Sequence, residues 1–469
     1  MFQHRIGVLV TTALTVALCT LGATARQAAG TTTATTNAVQ VWDDAAATTV
    51  VKSGAFQNEG LIYMAYVSSA VDKAATAASN KGESGRRGSD KRESETRESE
   101  KRSASVDAAV IEAAYRTLVN YFPAPRKPGS PDLDALYATS LAAIPESDAK
   151  AAGLAIGAAA ANAVIASRAG DGRVTPIAST STFPTLTPGP GVWRLTPPAY
   201  AAPQTPWVAN VRPFILRRAD QFQPPAPPSL SSSTWVNAFN EVKADGTGTD
   251  PAKKATALFW TANVILQYNQ LLREVASSRN LGVVDTARLM AMVNVVGADA
   301  QIACMNAKYH FLFWRPVSAI DPTSVQTSDG FGAIAYDDGN AATGEQAGWR
   351  PVIATPNHPE YPAAHGSLTG AMASVFSAFL GTKQINVTVH GFDPAGAPGN
   401  LNATRTFATA ADLRDEIVNA RVYAGVHYRF SGQAGVDMGQ KIARHDLRRF
   451  EHDGDDRDDD DGSDGAGDD

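Results

Sequence analysis

The chain has 469 residues, enough for one large core or two ordinary ones, and its 44% hydrophobic and 19% charged composition is that of a soluble globular protein. The formal net charge is −6, but the segment from Asp453 to Asp469 holds ten Asp and one Arg and contributes −9, leaving about +3 for the remainder. Without a global basic field, nucleic acid is excluded as a partner.

The first predicted element is an export signal over 1–25. "MFQHR" is a short basic start, Ile6–Ala23 an apolar run, and Ala23-Thr24-Ala25 a small-residue cleavage site. The expected product is a secreted or periplasmic protein with no stable membrane insertion after cleavage, since no later segment reads as long and apolar enough to span a bilayer. Cleavage removes Cys19 and leaves Cys304, so packing rather than disulfides must hold the chain together.

From 26 to 230 we expect a helical region. Ala46–Ala78 is Ala-rich and helical, and it is followed by "SNKGESGRRGSDKRESETRESEKRS", part of an expected disordered surface insertion over 79–105. Helices follow over Val106–Phe122 and Glu146–Ala169, the second capped by Ser147 or Asp148. A Pro-rich connection spans 171–228, and its Trp193, Tyr200, Trp207 and Phe214 imply that it packs on the body.

The segment 231–450 reads as a second helical region carrying the chemistry, with helical spacing over 250–279, 285–314, 366–381, 411–425 and 433–450. Few runs alternate with period two, so the predicted class is all-α, a multi-helix bundle, ending in an acidic disordered tail over 451–469.

Three stretches within it belong together. In "KYHFLFWRP" the cations Lys308 and Arg315 stand seven residues apart, which on one helix closed by Pro316 points both the same way to within about 20°. In "HPEYPAAHGS" His365 falls at a helix start, where unpaired amides including that of Ala364 attract an anion. In "NARVYAGVHYRFS" Arg421 and His427 lie about 120° apart if helical, and they share a ligand only if the backbone turns at Gly425. Three cations, two imidazoles and a helix N-terminus are the inventory for a tetrahedral or trigonal-bipyramidal oxyanion. Burying those charges without an anion is costly, so their convergence implies one.

This composite resembles the vanadium-dependent haloperoxidases and the acid phosphatases of the type 2 phosphatidic acid phosphatase superfamily. The family pattern is Lys, six residues, Arg-Pro; then Pro-Ser-Gly-His; then Ser-Arg, five residues, His. The resemblance covers roughly Asp285 to Arg444. It implies that Lys308, Arg315 and Arg421 bind the oxygens of vanadate, for which phosphate competes. It further implies that His427 ligates vanadium, that His365 exchanges protons and that Lys308 polarises hydrogen peroxide for attack by halide, bromide more than chloride. In the phosphatase alternative His427 attacks a phosphate ester through a phosphohistidine; a degenerate, non-catalytic oxyanion binder is the third reading.

The chain departs from the pattern at four places. Ala363 and Ala420 replace the two Ser, Ala364 the Gly, and Ser431 the family's Asp four residues after the last His. Each lost charge-assisted hydrogen bond costs about 1.5–3 kcal/mol. His358 is either a residue tuning halide oxidation, as in bromide-oxidising members, or an exposed loop histidine. Asp299 either orients Arg421 or is a helix-surface carboxylate. The oligomeric state is not encoded in any pattern we recognise.

Overall fold

The computed structural model describes residues 36–87, 104–174, 189–324, 337–393 and 401–455. The export segment 1–25, residues 88–103 of the charged insertion and the tail beyond Asp455 lie outside these residues.

The all-α class holds, with several helices opened by side-chain caps and two long connections, before Ser233 and before Ala364. α1 (Ala38–Lys52) opens on a capping box in which Asn37 and Gln40 exchange side-chain and backbone bonds. Gly54 breaks the helix expected to run through Ala46–Ala78, and α2 (Gln57–Arg87) follows. α2 continues through Arg87, so 79–87 is helical where disorder was expected. Its Lys, Glu and Arg are good helix formers, and its buried N-terminal part supplies the nucleus.

Next come α3 (Val106–Tyr121), capped by Ser105, α4 (Leu133–Ala142) and α5 (Asp148–Ser167), capped by Ser147. Among its described residues, the Pro-rich connection is irregular apart from a 3-10 turn at Pro206–Asn210. As expected it packs on the body: Trp207 is buried, and the Arg168 guanidinium covers the Phe214 ring at 4.1 Å.

The remaining helices are α6 (Ser233–Asp245), α7 (Pro251–Phe259), α8 (Val264–Ser278), α9 (Val283–Phe311), α10 (Pro316–Ile320), α11 (Ala364–Phe379), α12 (Ala410–Tyr423) and α13 (Arg429–Asp455). α13 carries helix through Asp455, into the segment expected to be a disordered tail. Between α11 and α12 lies an antiparallel hairpin, β1 (Gln384–Gly391) with β2 (Ala403–Thr409). Ile385, Val387 and Val389 alternate with polar residues in "QINVTVHG", a short period-two signal between helical runs, and they are the buried positions of β1.

α9 is the axis of the fold, packed against α2 and α11, with α11 in turn packed closely on α13. A side chain at Gly370 of α11 would meet the Val436 backbone, so this approach requires glycine. One hydrophobic cluster runs from Val39 to Leu447. A second, aromatic cluster of Trp235, Phe239, Phe313, Trp314, Trp349, Tyr361 and Tyr428 backs the loops that follow α9 and α12. Two helices, α5 and α9, do pass the length and hydropathy criteria for a membrane span, correcting the expectation that no later segment would. α9 passes because it is the core helix, 89% buried; α5 passes on its Ala content, 33% buried.

Candidate active site

Lys308 sits in the last turn of α9, fully buried, and Arg315 does not share that helix. α9 ends at Phe311, Leu312 turns left-handed at φ 47, and Arg315 caps α10, where Pro316 occupies the first helical position. Proline disfavours helical backbone in the residue before it, which accounts for the extended Arg315; the helix itself stops earlier, at the left-handed Leu312. The exit is held from outside: Trp193 N–H donates to Leu312 O (2.7 Å), Trp314 N–H to Gly191 O (3.1 Å) and Glu360 N–H to Phe313 O (2.9 Å). The two cations converge by this turn rather than by helical phase.

The turn at Gly425 is as expected. Gly425 has φ +75, and a Cβ there would lie 2.6 Å from Gly246 O and 2.8 Å from Pro351 Cβ. α12 therefore ends behind Arg421, and the chain reverses to bring His427 to the same place. His365 lies in the first turn of α11, with Ala364 as its first residue. No side chain caps that helix; Ala363 gives its N–H to Ser431 O and leaves the following amides without a capping oxygen.

His427 is buried and its tautomer is fixed from both sides. Nδ1 lies 2.7 Å from Glu360 Oε1, which also accepts the Tyr428 N–H at 3.1 Å, so that oxygen is an acceptor and Nδ1 holds the proton. At the other nitrogen Arg315 Nη1, which can only donate, stands 3.3 Å from Nε2. Nε2 thus carries a lone pair, the form that ligates a metal or attacks an electrophile. The sequence pattern does not single out Glu360; it points to Ser431 as the position of the family's carboxylate. The available clue was an acid at 360 between two prolines, in a stretch expected to face three cations.

His358 is 5% exposed, which rules out the exposed-loop alternative. Its Nδ1 accepts from Arg315 Nη2 at 3.0 Å, which places the proton on Nε2. Pro359 O, 3.1 Å from Nδ1, is already bonded by Lys308 Nζ at 2.9 Å. Lys308 also donates to Glu360 O at 2.8 Å, leaving one of its three N–H groups for a ligand. Arg315 gives Nε–H to His358 O (3.0 Å) and its second Nη1–H to Val426 O (2.8 Å), leaving one of its five N–H groups, on Nη2, for a ligand. Arg421 is different: it is 2% exposed, and its Nε has no hydrogen-bond partner among the described residues.

Asp299 is neither of the things expected. It is fully buried, and its oxygens accept the N–H groups of Phe214 (2.6 Å), Ile215 (2.8 Å) and Leu216 (3.0 Å) rather than meeting Arg421. Burial raises its carboxyl to about 6 despite those bonds. It anchors Phe214, Ile215 and Leu216 of the Pro-rich connection to α9.

The electrostatics follow from burying like charges together. Burial, with the neighbouring guanidiniums, lowers Lys308 to about 7, partly offset by Cys304 and Glu360. Burial lowers Arg315 to about 10, and burial with Arg315 lowers Arg421 to about 9, so both stay charged at neutral pH. Burial raises Glu360 to about 7, against the pull of Lys308, Arg315 and the Ser431 hydroxyl. His358, His365 and His427 are all held well below the ordinary imidazole value, first by burial and then by the cations, and are neutral. His358, His365, Arg421 and His427 line a cavity of about 320 Å³.

A mostly helical bundle that buries an ammonium, two guanidiniums and three imidazoles close together is the class that this fold and site define. The similarities found are to vanadium haloperoxidases. The family model of the VCPO second helical-bundle domain matches residues 288–453, which contain every site residue above. The vanadium chloroperoxidase of Curvularia inaequalis is 26% identical over 241 residues, covering 41% of this chain; the match spans only 38% of that protein's length. Among solved structures, the first bacterial vanadium-dependent iodoperoxidase aligns with a TM-score of 0.64 at 19% identity, covering 88% of this chain and 95% of that one. The holo-type bacterial vanadium-dependent chloroperoxidase aligns with a TM-score of 0.55 at 16% identity, covering 74% and 82%. These structural likenesses establish the fold.

Proposed function

We propose that this chain is a vanadium-dependent haloperoxidase that oxidises halide, bromide in preference, with hydrogen peroxide. The observation that carries the reading is the His427 lone pair at Nε2, set by Glu360 and Arg315, at a pocket of buried cations that includes an unpartnered Arg421 Nε. These residues fit a vanadate ion: Arg421 and the spare N–H of Lys308 supply charged donors, the first amides of α11 supply neutral ones, and His427 Nε2 supplies the one nitrogen ligand. Bound vanadate contributes a Lewis-acidic centre that polarises peroxide oxygen without changing oxidation state.

The chain's own residues do the rest. Neutral His365 is free to take a proton from incoming peroxide at its ring nitrogen. Burial of the surrounding groups keeps the field of Lys308, Arg315 and Arg421 from being screened by water. The bromide preference rests on His358, whose Nε2–H gives the cavity wall a polar donor. Ala363 offers no hydroxyl to the oxyanion, so binding relies more heavily on charge and on the helix amides. We also propose export, on the basic start and apolar run of the first 25 residues; sequencing the mature N-terminus tests it, with Arg26 expected as the first residue.

The same pocket suits phosphoryl transfer, with His427 as nucleophile and His365 protonating the leaving alcohol. Parallel assays separate the readings. Bromide oxidation that requires added vanadate, with little p-nitrophenyl phosphate hydrolysis, supports the proposal. The reverse identifies a phosphatase. Silence in both, with phosphate still bound, identifies a non-catalytic oxyanion binder.

A further inference from the structure

A second cleft encloses about 590 Å³ between α2, the end of α5, the Pro-rich connection, α9 and α13. It shares no lining residue with the oxyanion pocket, and Lys308 lies about 20 Å along α9 from Val295 in its wall. Ser69, Asp72, Lys73, Thr76 and Asn80 recur at helical spacing, so one polar face of α2 is turned toward it. Its apolar part is Phe214, Ile215, Val295 and Phe450, which pack in one small cluster with Ala65 and Ala298.

Five cations line the same cleft: Lys73, Arg168, Arg212, Arg288 and Arg449. Arg168 lies over the Phe214 ring at 4.1 Å and Arg288 over the Phe450 ring at 4.8 Å, so charge and apolar surface adjoin. Asp171 pairs with Arg168 at 2.8 Å and Asp72 with Arg288 at 3.2 Å, while Asp299 holds the amides of Phe214 and Ile215. The cations still outnumber these carboxylates, and Lys73, Arg212 and Arg449 are the exposed ones. Arg212 is set in place by its backbone: its N–H donates to Asp171 O at 2.8 Å, and its carbonyl accepts from Arg168 Nη2. Its guanidinium gives one N–H to Ser167 O and, like the Lys73 ammonium, has no carboxylate partner among the described residues. Like charges held together repel, and the rings beside them gain from being covered.

We propose that this cleft binds a hydrophobic carboxylate, its aryl or acyl body on Phe214, Ile215 and Phe450 and its carboxylate among the exposed cations. The planar guanidinium of Arg212 matches the two oxygens of a carboxylate, and Lys73 adds a point charge. A cleft of about 590 Å³ has the size of a small-molecule site and accommodates a two-ring acid. The proposal does not rest on the haloperoxidase reading.

Equilibrium dialysis of the full chain in low salt, where exposed charges are least screened, tests the site with 2-naphthoate and its neutral isostere 2-naphthamide. The native protein should bind 2-naphthoate at least about tenfold more tightly, through charge-assisted bonds that the amide cannot make. Excess acetate, which has the charge without the rings, should not displace it. Arg212→Met should lose most of the preference and Lys73→Met part of it; both side chains are exposed, and urea unfolding as in the native chain verifies the fold. Arg421→Met, which alters the oxyanion pocket, should keep the native preference. No saturable binding of 2-naphthoate, equal binding of the amide, displacement by acetate, or a preference kept in Arg212→Met overturns the proposal. Loss of the preference in Arg421→Met alone would put the ligand in the oxyanion pocket and overturns it as well. A protein that binds 2-naphthoate as described but oxidises no bromide sustains the cleft and refutes the haloperoxidase reading. Bromide oxidation without that binding does the reverse.

Discussion

Replacing Glu360 by Gln probes the proposed ligand role of His427 with little change in shape. Gln offers an oxygen to both His427 Nδ1–H and Tyr428 N–H, so the tautomer is retained while the negative charge that makes the imidazole a stronger donor is lost. Removing such a partner typically weakens metal binding 10–100-fold, roughly 1.4–2.8 kcal/mol. The same substitution removes the carboxylate facing Lys308 and Arg315, which by itself favours any anion. Phosphate and vanadate should therefore respond oppositely. Calorimetric titration should show vanadate losing at least tenfold relative to phosphate, which draws nothing from the imidazole lone pair. An equal loss for both anions would mean that Glu360 only maintains the fold, and an equal gain for both would mean that His427 is no ligand.

Arg421→Met should leave the anion-free protein as stable as native or more so, since it removes a buried charge whose Nε is unpartnered, yet abolish stabilisation by phosphate. That stabilisation is worth about 2.7 kcal/mol at a hundredfold excess over Kd, and thermal unfolding with and without phosphate reads both effects. Lys308 at about 7 is lowered from its ordinary value, so its charged form is disfavoured until an anion arrives and raises it. Glu360, at about 7, shifts upward beside an anion too. Between pH 7 and about 10 sulfate binding should take up protons and weaken as pH rises; calorimetry at pH 8 in buffers of different ionisation enthalpy should show uptake, and zero uptake would contradict the site. Gly425→Ala forces a left-handed alanine against Gly246 O and should destabilise the chain by about 2 kcal/mol or more in urea unfolding.

The cations and imidazoles were legible because charge in an apolar run is conspicuous without any coordinates. Their means of convergence was not. Helical phase made Lys308 and Arg315 look coplanar, but Leu312 adopts a left-handed backbone that its residue type does not announce. Glu360 and His427 are 67 positions apart, beyond any local pattern, and the carboxylate sits on a different segment from the one where it was sought. Asp299 was misplaced for the same reason, its partners being backbone amides 83 to 85 positions away.

The proposal that His427 and three buried cations hold a vanadate is tested most directly by vanadium analysis after reconstitution and dialysis, comparing the native chain with His427→Ala. We expect about one vanadium per native chain and almost none in the variant, with phosphate binding retained by both. Equal vanadium in the two proteins would remove the imidazole from the site, and none in either would remove the metal.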